Sequence, residues 1–128
     1  MDENSDRFEI LHLATMAMIG AYDQLAKLLL MLPIPIAVPS WADGGHSGAV
    51  QVAAIDNART LLAGMPMPEE MADLMEEAVI EWLTLHELVV VLVDRDKERP
   101  HDRAMIVYAI IRAGDGIRKA TDLARTMS

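Results

Sequence analysis

Apolar residues recur at alternating spacings of three and four along three stretches of the chain, which is the pattern of one buried face of a helix. The clearest stripe is Met71, Met75, Ala78, Trp82, Leu85, Val89 and Leu92. An earlier stripe is Leu11, Thr15, Met18, Tyr22, Leu25, Leu29 and Leu32, and a later one is Ile106, Ile110, Ala113, Ile117, Ala120, Ala124 and Met127. The spacing therefore predicts three long amphipathic helices.

Prolines and glycines mark the predicted helix ends. Pro33 and Pro35 stop the first helix, because proline cannot donate to the helix ladder and restricts the residue before it. Ser47 and Gly64 suit the start and the end of a shorter second helix. The predicted helices cover about residues 6–32, 47–64, 68–94 and 100–127, and the third ends within the charged run 94–99. Since no stretch alternates as a strand would, we predict a single all-α domain: an antiparallel four-helix bundle with three long helices and one shorter second helix.

The connection between the first two predicted helices, Pro33 to His46, is longer than the few residues that usually join bundle helices. Its first half is apolar, and we expect it to pack across one end of the bundle. Its second half contains Trp41, Asp43 and His46 next to two glycines. This half is either an ordered lid with its tryptophan in the core or a recognition element. We predict that these three residues belong to a partner-binding surface, because tryptophan is enriched at binding hot spots.

The C-terminal half of the third predicted helix, from Leu83 to Val93, is apolar almost all round. Such a helix is either central in its fold or covered by another chain. Val90 and Val93 lie off the main stripe, so the other helices do not account for their cover. We therefore predict that both valines contact a partner, and that the chain forms a homodimer or a higher oligomer through its third or first helix.

Charge is unevenly distributed along a chain of net charge −9. Residues 1–94 hold 15 acidic against 3 basic residues, and no Lys or Arg occurs between Thr60 and Asp94. Residues 95–128 hold 8 basic against 5 acidic residues, which are expected to neutralise the acidic third helix. An acidic chain lacks the basic surface that phosphate neutralisation requires, so we predict no direct binding of nucleic acid.

The chain contains no cysteine, which excludes disulfides and thiolate-bound metals. Its acidic first residues are the opposite of the basic start of a signal peptide. No apolar run approaches the roughly 18 residues of a membrane span. We therefore expect a soluble, cytoplasmic protein that does not bind membranes.

The acidic residues of the third helix are the strongest chemical lead. Glu70, Asp73, Glu77 and Glu81 fall along one helix face. They form either a solvated face balanced by the basic fourth helix or a site for a hard divalent cation such as Mg²⁺. Glu-x-x-His, a ligand pair of di-iron bundles, occurs at Glu9–His12 and at Glu98–His101. We expect these two pairs at opposite ends of the bundle, where they cannot form one site.

The segment from Met16 to Leu28, MAMIGAYDQLAKL, resembles the first motif helix of the all-α (MazG-like) nucleotide pyrophosphohydrolases. Glu69 to Leu74, EEMADL, resembles their downstream E-x-x-D helix. Where that family's first motif supplies several glutamates, this chain has Ala21 and Gln24, and only Asp23 is acidic. The resemblance implies an Mg²⁺-dependent hydrolase of degenerate type, with the possible ligand set Asp23, Glu70, Asp73 and Glu77.

No phosphate-binding glycine loop and no nucleophilic triad occurs in the sequence. The interpretation that we favour is therefore a small, acidic, non-enzymatic interaction protein of the accessory, inhibitor or adaptor type, homo-oligomeric and without a cofactor. The degenerate Mg²⁺-dependent pyrophosphohydrolase is the alternative.

Overall fold

The computed structural model describes residues 3–44, 48–95 and 97–127, with side chains from residue 7 onward except at residues 43 and 44. Its elements are α1 (Glu3–Leu30), a 3₁₀ turn (Trp41–Gly44), α2 (Ala49–Ala63), α3 (Glu69–Asp94) and α4 (Asp102–Thr126). The described ranges contain no strand. The helices have 28, 15, 26 and 25 residues, which confirms the predicted all-α class with three long helices and a shorter second one.

The predicted stripe of α3 is confirmed completely, because all seven of its residues are buried. The stripe of α1 is confirmed from Met18 onward, but Ile10 and Ala14 are buried in the first turns, whereas Leu11 and Thr15 are half-buried. The buried face is rotated there because α1 packs against α4 as well as against α3. The spacing of one stripe does not reveal that a helix has a second neighbour. The predicted buried residues in the first turns of α1 are therefore each one position later in the chain than the observed ones.

The helix α3 runs antiparallel to the other three helices. Near the start of α1, the Arg7 guanidinium donates to the carbonyl of Leu92 at the end of α3, at 3.0 Å. Arg95, just beyond α3, bonds Asp102 at the start of α4. The starts of α1 and α4 therefore lie at the same end of the bundle, and our expectation that they lie at opposite ends is wrong.

The connection from α1 to α2 explains this arrangement, because it returns alongside α1 instead of crossing the bundle end. The Ile36 N–H donates to the carbonyl of Leu29 at 3.0 Å, and further along the Tyr22 hydroxyl donates to the carbonyl of Pro39. Between Ile36 and Pro39, the chain thus runs antiparallel to α1 along more than one of its turns, from Leu29 toward Tyr22, before α2 begins. The expectation that this segment packs across the bundle end is wrong, since its backbone finds its partners on the side of α1.

The basic side of α4 neutralises part of the acidic flank of α3. The Arg112 guanidinium lies 3.1 Å from Glu81 and 3.8 Å from Glu77. The two helices approach closely, since a Cβ atom added to Gly116 would lie only 3.4 Å from the Cα of Ala78.

No described helix is long and apolar enough to cross a membrane.

Asp102, the first residue of α4, ties the start of this helix to the end of α3. Its buried carboxylate accepts a hydrogen bond of 2.6 Å from the Arg95 guanidinium and one of 2.8 Å from the backbone N–H of Arg99. Burial by itself raises the pKa of Asp102. The hydrogen bonds and the positive charges of Arg95 and His101 outweigh this effect, so the pKa lies below the ordinary aspartate value.

We expect Asp102→Asn to lower the free energy of unfolding by about 1–3 kcal/mol near neutral pH, because a neutral amide replaces a charged acceptor of two hydrogen bonds. The pKa of Asp102 is lower in the folded state, so its contribution is present above the unfolded pKa of about 3.9 and is lost as the pH falls through the folded value. Urea unfolding of both proteins near neutral pH and at acid pH should therefore show a stability gap that narrows in acid. An equal gap at both would contradict the assignment.

Candidate functional site

Three of the residues predicted to bind a partner line one open groove between α1 and α3. Trp41, Val90 and Val93 form its walls, and the groove has a volume of about 570 Å³. The remaining lining residues are Thr15, Met18, Ile19, Ala42, His86, Val89 and Asp94. Of the other two predicted residues, His46 lies outside the described residues, and so does the side chain of Asp43. Two parts of the sequence that were singled out for different reasons thus meet at one site.

The groove exists because α2 is too short to cover α3. Arg59 of α2 bonds Glu76 at 2.8 Å, and the N-terminal end of α2 lies beside His86. From His86 to Asp94, α3 continues for about 12 Å at 1.5 Å per residue, whereas α2 begins at Ala49 beside His86 and Glu87 and does not extend along the rest of this part. Val90 and Val93 lie on the flank that α2 leaves uncovered.

Trp41 forms the end of the groove at the start of α2. Its half-buried ring packs edge-on against Tyr22 and Trp82, with ring centroids 5.4 and 6.4 Å apart. Trp82 is fully buried, and its indole N–H donates to the carbonyl of Met18 at 3.0 Å. One side of Trp41 thus belongs to the core, and the other side is a groove wall. The interpretation of Trp41 as a core residue therefore holds for one side of its ring, whereas its role in recognition stays a prediction.

Gly48 places α2 directly behind Trp41. Its φ of 72° is left-handed, and a Cβ atom added there would lie 2.8 Å from Cη2 of the Trp41 ring. The side-chain amide of Gln51, which is fully buried in α2, donates to the carbonyls of Ser40 and Trp41 at 3.0 and 3.1 Å. The backbone of the 3₁₀ turn and the first turn of α2 are therefore joined, and the indole ring fills the space that a longer α2 would need.

His86 is a site residue that the sequence interpretation missed. It is only 8% exposed, and its Nδ1 atom forms no hydrogen bond with any described residue. The carboxylate of Glu87 lies 3.6 Å from this atom, which is too far for a hydrogen bond. A buried polar atom without a partner costs about 1–3 kcal/mol. The signal that could have identified His86 is its position one helical turn before Val90 on the same flank.

The groove carries negative charge and no positive charge. Asp94 lines it at the end of α3, and its lining contains no Lys or Arg. The last turn of α3 also has no basic residue, although its carbonyl end carries a partial negative charge. Arg7 of α1 donates to the carbonyls of Leu92 and Arg95 and so partly offsets this charge from outside the groove.

The carboxylates of the alternative metal site do not come together. Asp23 pairs with Lys27 at 3.0 Å on the exposed surface of α1, and Glu77 lies 3.8 Å from Arg112. Glu70 and Asp73 are exposed on α3. Within residues 3–44, 48–95 and 97–127, no group of three or more His, Asp or Glu side chains is arranged to hold a metal ion.

The chain matches no protein-family model, no curated protein and no solved structure. Its function is therefore argued from the groove itself. The described groove residues offer a mainly apolar surface with one carboxylate, that of Asp94, and one largely buried imidazole, that of His86.

We expect Gly48→Ala to lower the free energy of unfolding by about 1–2 kcal/mol, because alanine is strained at a positive φ and its methyl group meets the Trp41 ring. Gly64→Ala is the matched control at the other end of α2, where φ is −102° and nothing lies within 4 Å of an added Cβ. Thermal unfolding and near-ultraviolet circular dichroism measure both variants. Equal stability of the two would show that Trp41 does not constrain the start of α2.

Proposed function

We propose that this chain is a non-catalytic interaction protein of the accessory, inhibitor or adaptor type, which holds an apolar segment of a partner protein in the groove between α1 and α3. The observation that carries the proposal is that Trp41, Val90 and Val93, distant in sequence, are walls of one open groove.

The energetics of the groove support capture of an apolar segment. Val90 and Val93 are 41% and 55% exposed, so a partner that covers them removes apolar surface from water. Complete burial of one such side chain stabilises a complex by roughly 1.5–3 kcal/mol. Trp41 adds a large ring that is already ordered by Tyr22 and Trp82, so that little side-chain entropy remains to be lost on binding.

A pair of valine variants on α3 tests the proposal. We expect Val93→Asp to abolish retention of a specific partner from an extract of the native host, because it places a charge in the groove. Val91→Asp is the matched control, since Val91 is 46% exposed on the same helix but does not line the groove. Mass spectrometry of the proteins retained by each immobilised variant is the measurement.

The proposal requires a protein that is retained by the unmodified chain and by Val91→Asp but is lost with Val93→Asp. If the two variants retain the same proteins, partner capture does not use this groove and the proposal fails. Circular dichroism of both variants checks that each remains helical.

We also propose that the chain associates with a second copy of itself through the outer surface of α1 and α4, here called the α1/α4 face. In the half nearer the ends of α1 and α4, here called the lower half, Gln24 and Lys27 of α1 border a shared depression with Arg118 and Thr121 of α4. Steps of three and four residues toward the starts of both helices define the other half, here called the upper half. It consists of Leu13, Met16 and Gly20 on α1 and of Val107, Ile111 and Gly114 on α4.

The upper half of the α1/α4 face is apolar and uncovered. Leu13, Met16, Val107 and Ile111 are each about half exposed. A Cβ atom added to Gly20 or Gly114 would meet nothing within 4 Å. Each glycine costs about 1 kcal/mol relative to alanine inside a helix, and no contact within the described chain requires either one. Close approach of another helix would account for both.

Charge favours this face over α3 for self-association. All the charged residues of α3 are acidic, so two copies joined along this helix would bring like charges together. The α1/α4 face carries both signs, as in the pairs Asp23–Lys27 and Asp115–Arg118, each at 3.0 Å. A second copy therefore meets compensating charges. Of the two helices predicted to mediate oligomerisation, α1 is the one this proposal retains.

Two substitutions on α4 test self-association by light scattering. We expect a dimer at micromolar concentration, and a monomer of 14.1 kDa for Ile111→Glu. Gly114→Ala should raise the stability of the monomer by about 1 kcal/mol, because the methyl group enters open space, yet should weaken the dimer. A monomer at every concentration, or a Gly114→Ala variant that is stabilised without loss of dimer, would refute the α1/α4 contact.

A further inference from the structure

The partner segment that fits the groove can be specified more closely, on the assumption that the groove is the binding site proposed above. We propose that the groove receives an amphipathic helix of a partner protein, lying along the line of α2 with a Lys or Arg side chain beside Asp94. The segment would supply about two helical turns that the bundle lacks, which is the number that fits 12 Å of α3.

The walls of the groove are those of a helix-binding site. Nearer the start of α3, α2 packs on the same flank of α3, where Val52 and Ala53 lie beside Leu83. Toward the end of α3, this flank and the neighbouring side of α1 extend beyond Gly48, but α2 does not, because it begins at Ala49. On the adjoining turns of α3, the element packed on this flank is therefore a helix, α2. The described part of the chain presents no sheet edge to which an extended segment could pair.

The groove cannot be closed by the chain's own α2. The left-handed conformation of Gly48 prevents α2 from beginning earlier in the chain, and the Trp41 ring lies against the Gly48 backbone. An occupant therefore comes from outside α2 and rests its end against Trp41. Its apolar side faces Ile19, Val90 and Val93, which fall on the two walls.

Charge complementarity assigns the polar side of the occupant. Asp94 lies at the end of the groove away from Trp41 and forms no ion pair with the described residues. No Lys or Arg lines the groove, so a basic side chain meets no cation on the groove walls, whereas an acidic one meets the carboxylate of Asp94. The free chain carries a net charge of −9, which adds a long-range preference for a basic segment.

His86 gives an independent indication that the groove is incomplete without an occupant. Its side chain is only 10% exposed, lines the groove, and leaves Nδ1 without a hydrogen bond to any described residue. Buried polar atoms of folded proteins usually have a partner. A helix lying against Val90 brings polar side chains within reach of this ring, which lies about two helical turns from Asp94 along α3.

Two synthetic peptides of the same apolar pattern test the charge of the occupant. Both have leucine at every third or fourth position, and the polar positions are all lysine in one and all glutamate in the other. We expect the lysine peptide to bind at least about tenfold more tightly, because the glutamate peptide meets Asp94 and the acidic flank of α3. The readout is the pair of indole N–H resonances: that of Trp41 should shift, while that of Trp82, fully buried, should not.

Matched variants locate the contact. Asp94→Asn should weaken binding of the lysine peptide about three- to tenfold. Asp73→Asn, which makes the same charge change at an exposed site of α3 outside the groove, should leave the affinity unchanged. Val93→Asp should abolish binding and Val91→Asp should not. A lysine peptide with proline in its centre should not bind, because it cannot form a helix.

Several outcomes overturn the inference. These are equal binding of the lysine and glutamate peptides, equal effects of the two asparagine variants, or binding of the proline peptide. Loss of a dimer in Val93→Asp would show that a second copy of the chain is the occupant. If peptides fail while the native extract yields a partner that distinguishes Val93→Asp from Val91→Asp, the helical basic occupant is wrong and the proposed function stands.

Discussion

The packing of Trp82 against Tyr22 holds the parts of this protein in register. The ring centroids lie 5.3 Å apart, and each ring has its polar group satisfied by a backbone carbonyl: that of Met18 for the indole and that of Pro39 for the phenol. The first bond joins α3 to α1, and the second fixes the returning connection beside α1. Trp41 can pack on this pair only because Tyr22 holds Pro39 in place. The position of α2, and with it the length of α3 that remains uncovered, follows from this one contact.

The groove therefore originates in the core rather than on the surface. Its walls are continuations of helices whose lower turns are buried in the usual way, and its end is an aromatic ring that also belongs to the core. A site of this kind is ordered before anything binds, which reduces the entropy lost on association. The outer surface of α1 and α4 is different, because its apolar side chains project from helices that are already complete. The two surfaces face different directions, so the proposals of partner capture and self-association are compatible.

The stripe of α3 could be predicted from sequence because this helix is central, so that its buried face obeys the helical repeat over its whole length. The early turns of α1 were misplaced by one residue, since Ile10 and Ala14 are buried by a neighbour that local periodicity cannot identify. The candidate groove could be predicted only in part. Trp41 stands out because it lies in an unusually long connection, and Val90 and Val93 because they lie off the stripe of α3, whereas no sequence pattern distinguishes His86 or Asp94. Their importance depends on where α2 stops, and Gly48 gives no sign in the sequence that an indole ring lies against it. The course of the long connection was equally hidden, because its backbone partners are carbonyls, which every residue has.

The contact between Gly48 and Trp41 also limits how this protein can change over generations. A larger residue at position 48 needs both a smaller residue in place of the indole and a backbone that leaves the left-handed conformation, and loss of the indole alone opens the core beside Tyr22. Substitution at either position is thus penalised until both have occurred. A descendant that accepted both could lengthen α2 toward Asp94, bury Val90 and Val93 under its own chain, and become a closed bundle. The open groove is separated from that alternative by two substitutions that must occur together, and selection for a binding partner would be seen as joint retention of the glycine and the tryptophan.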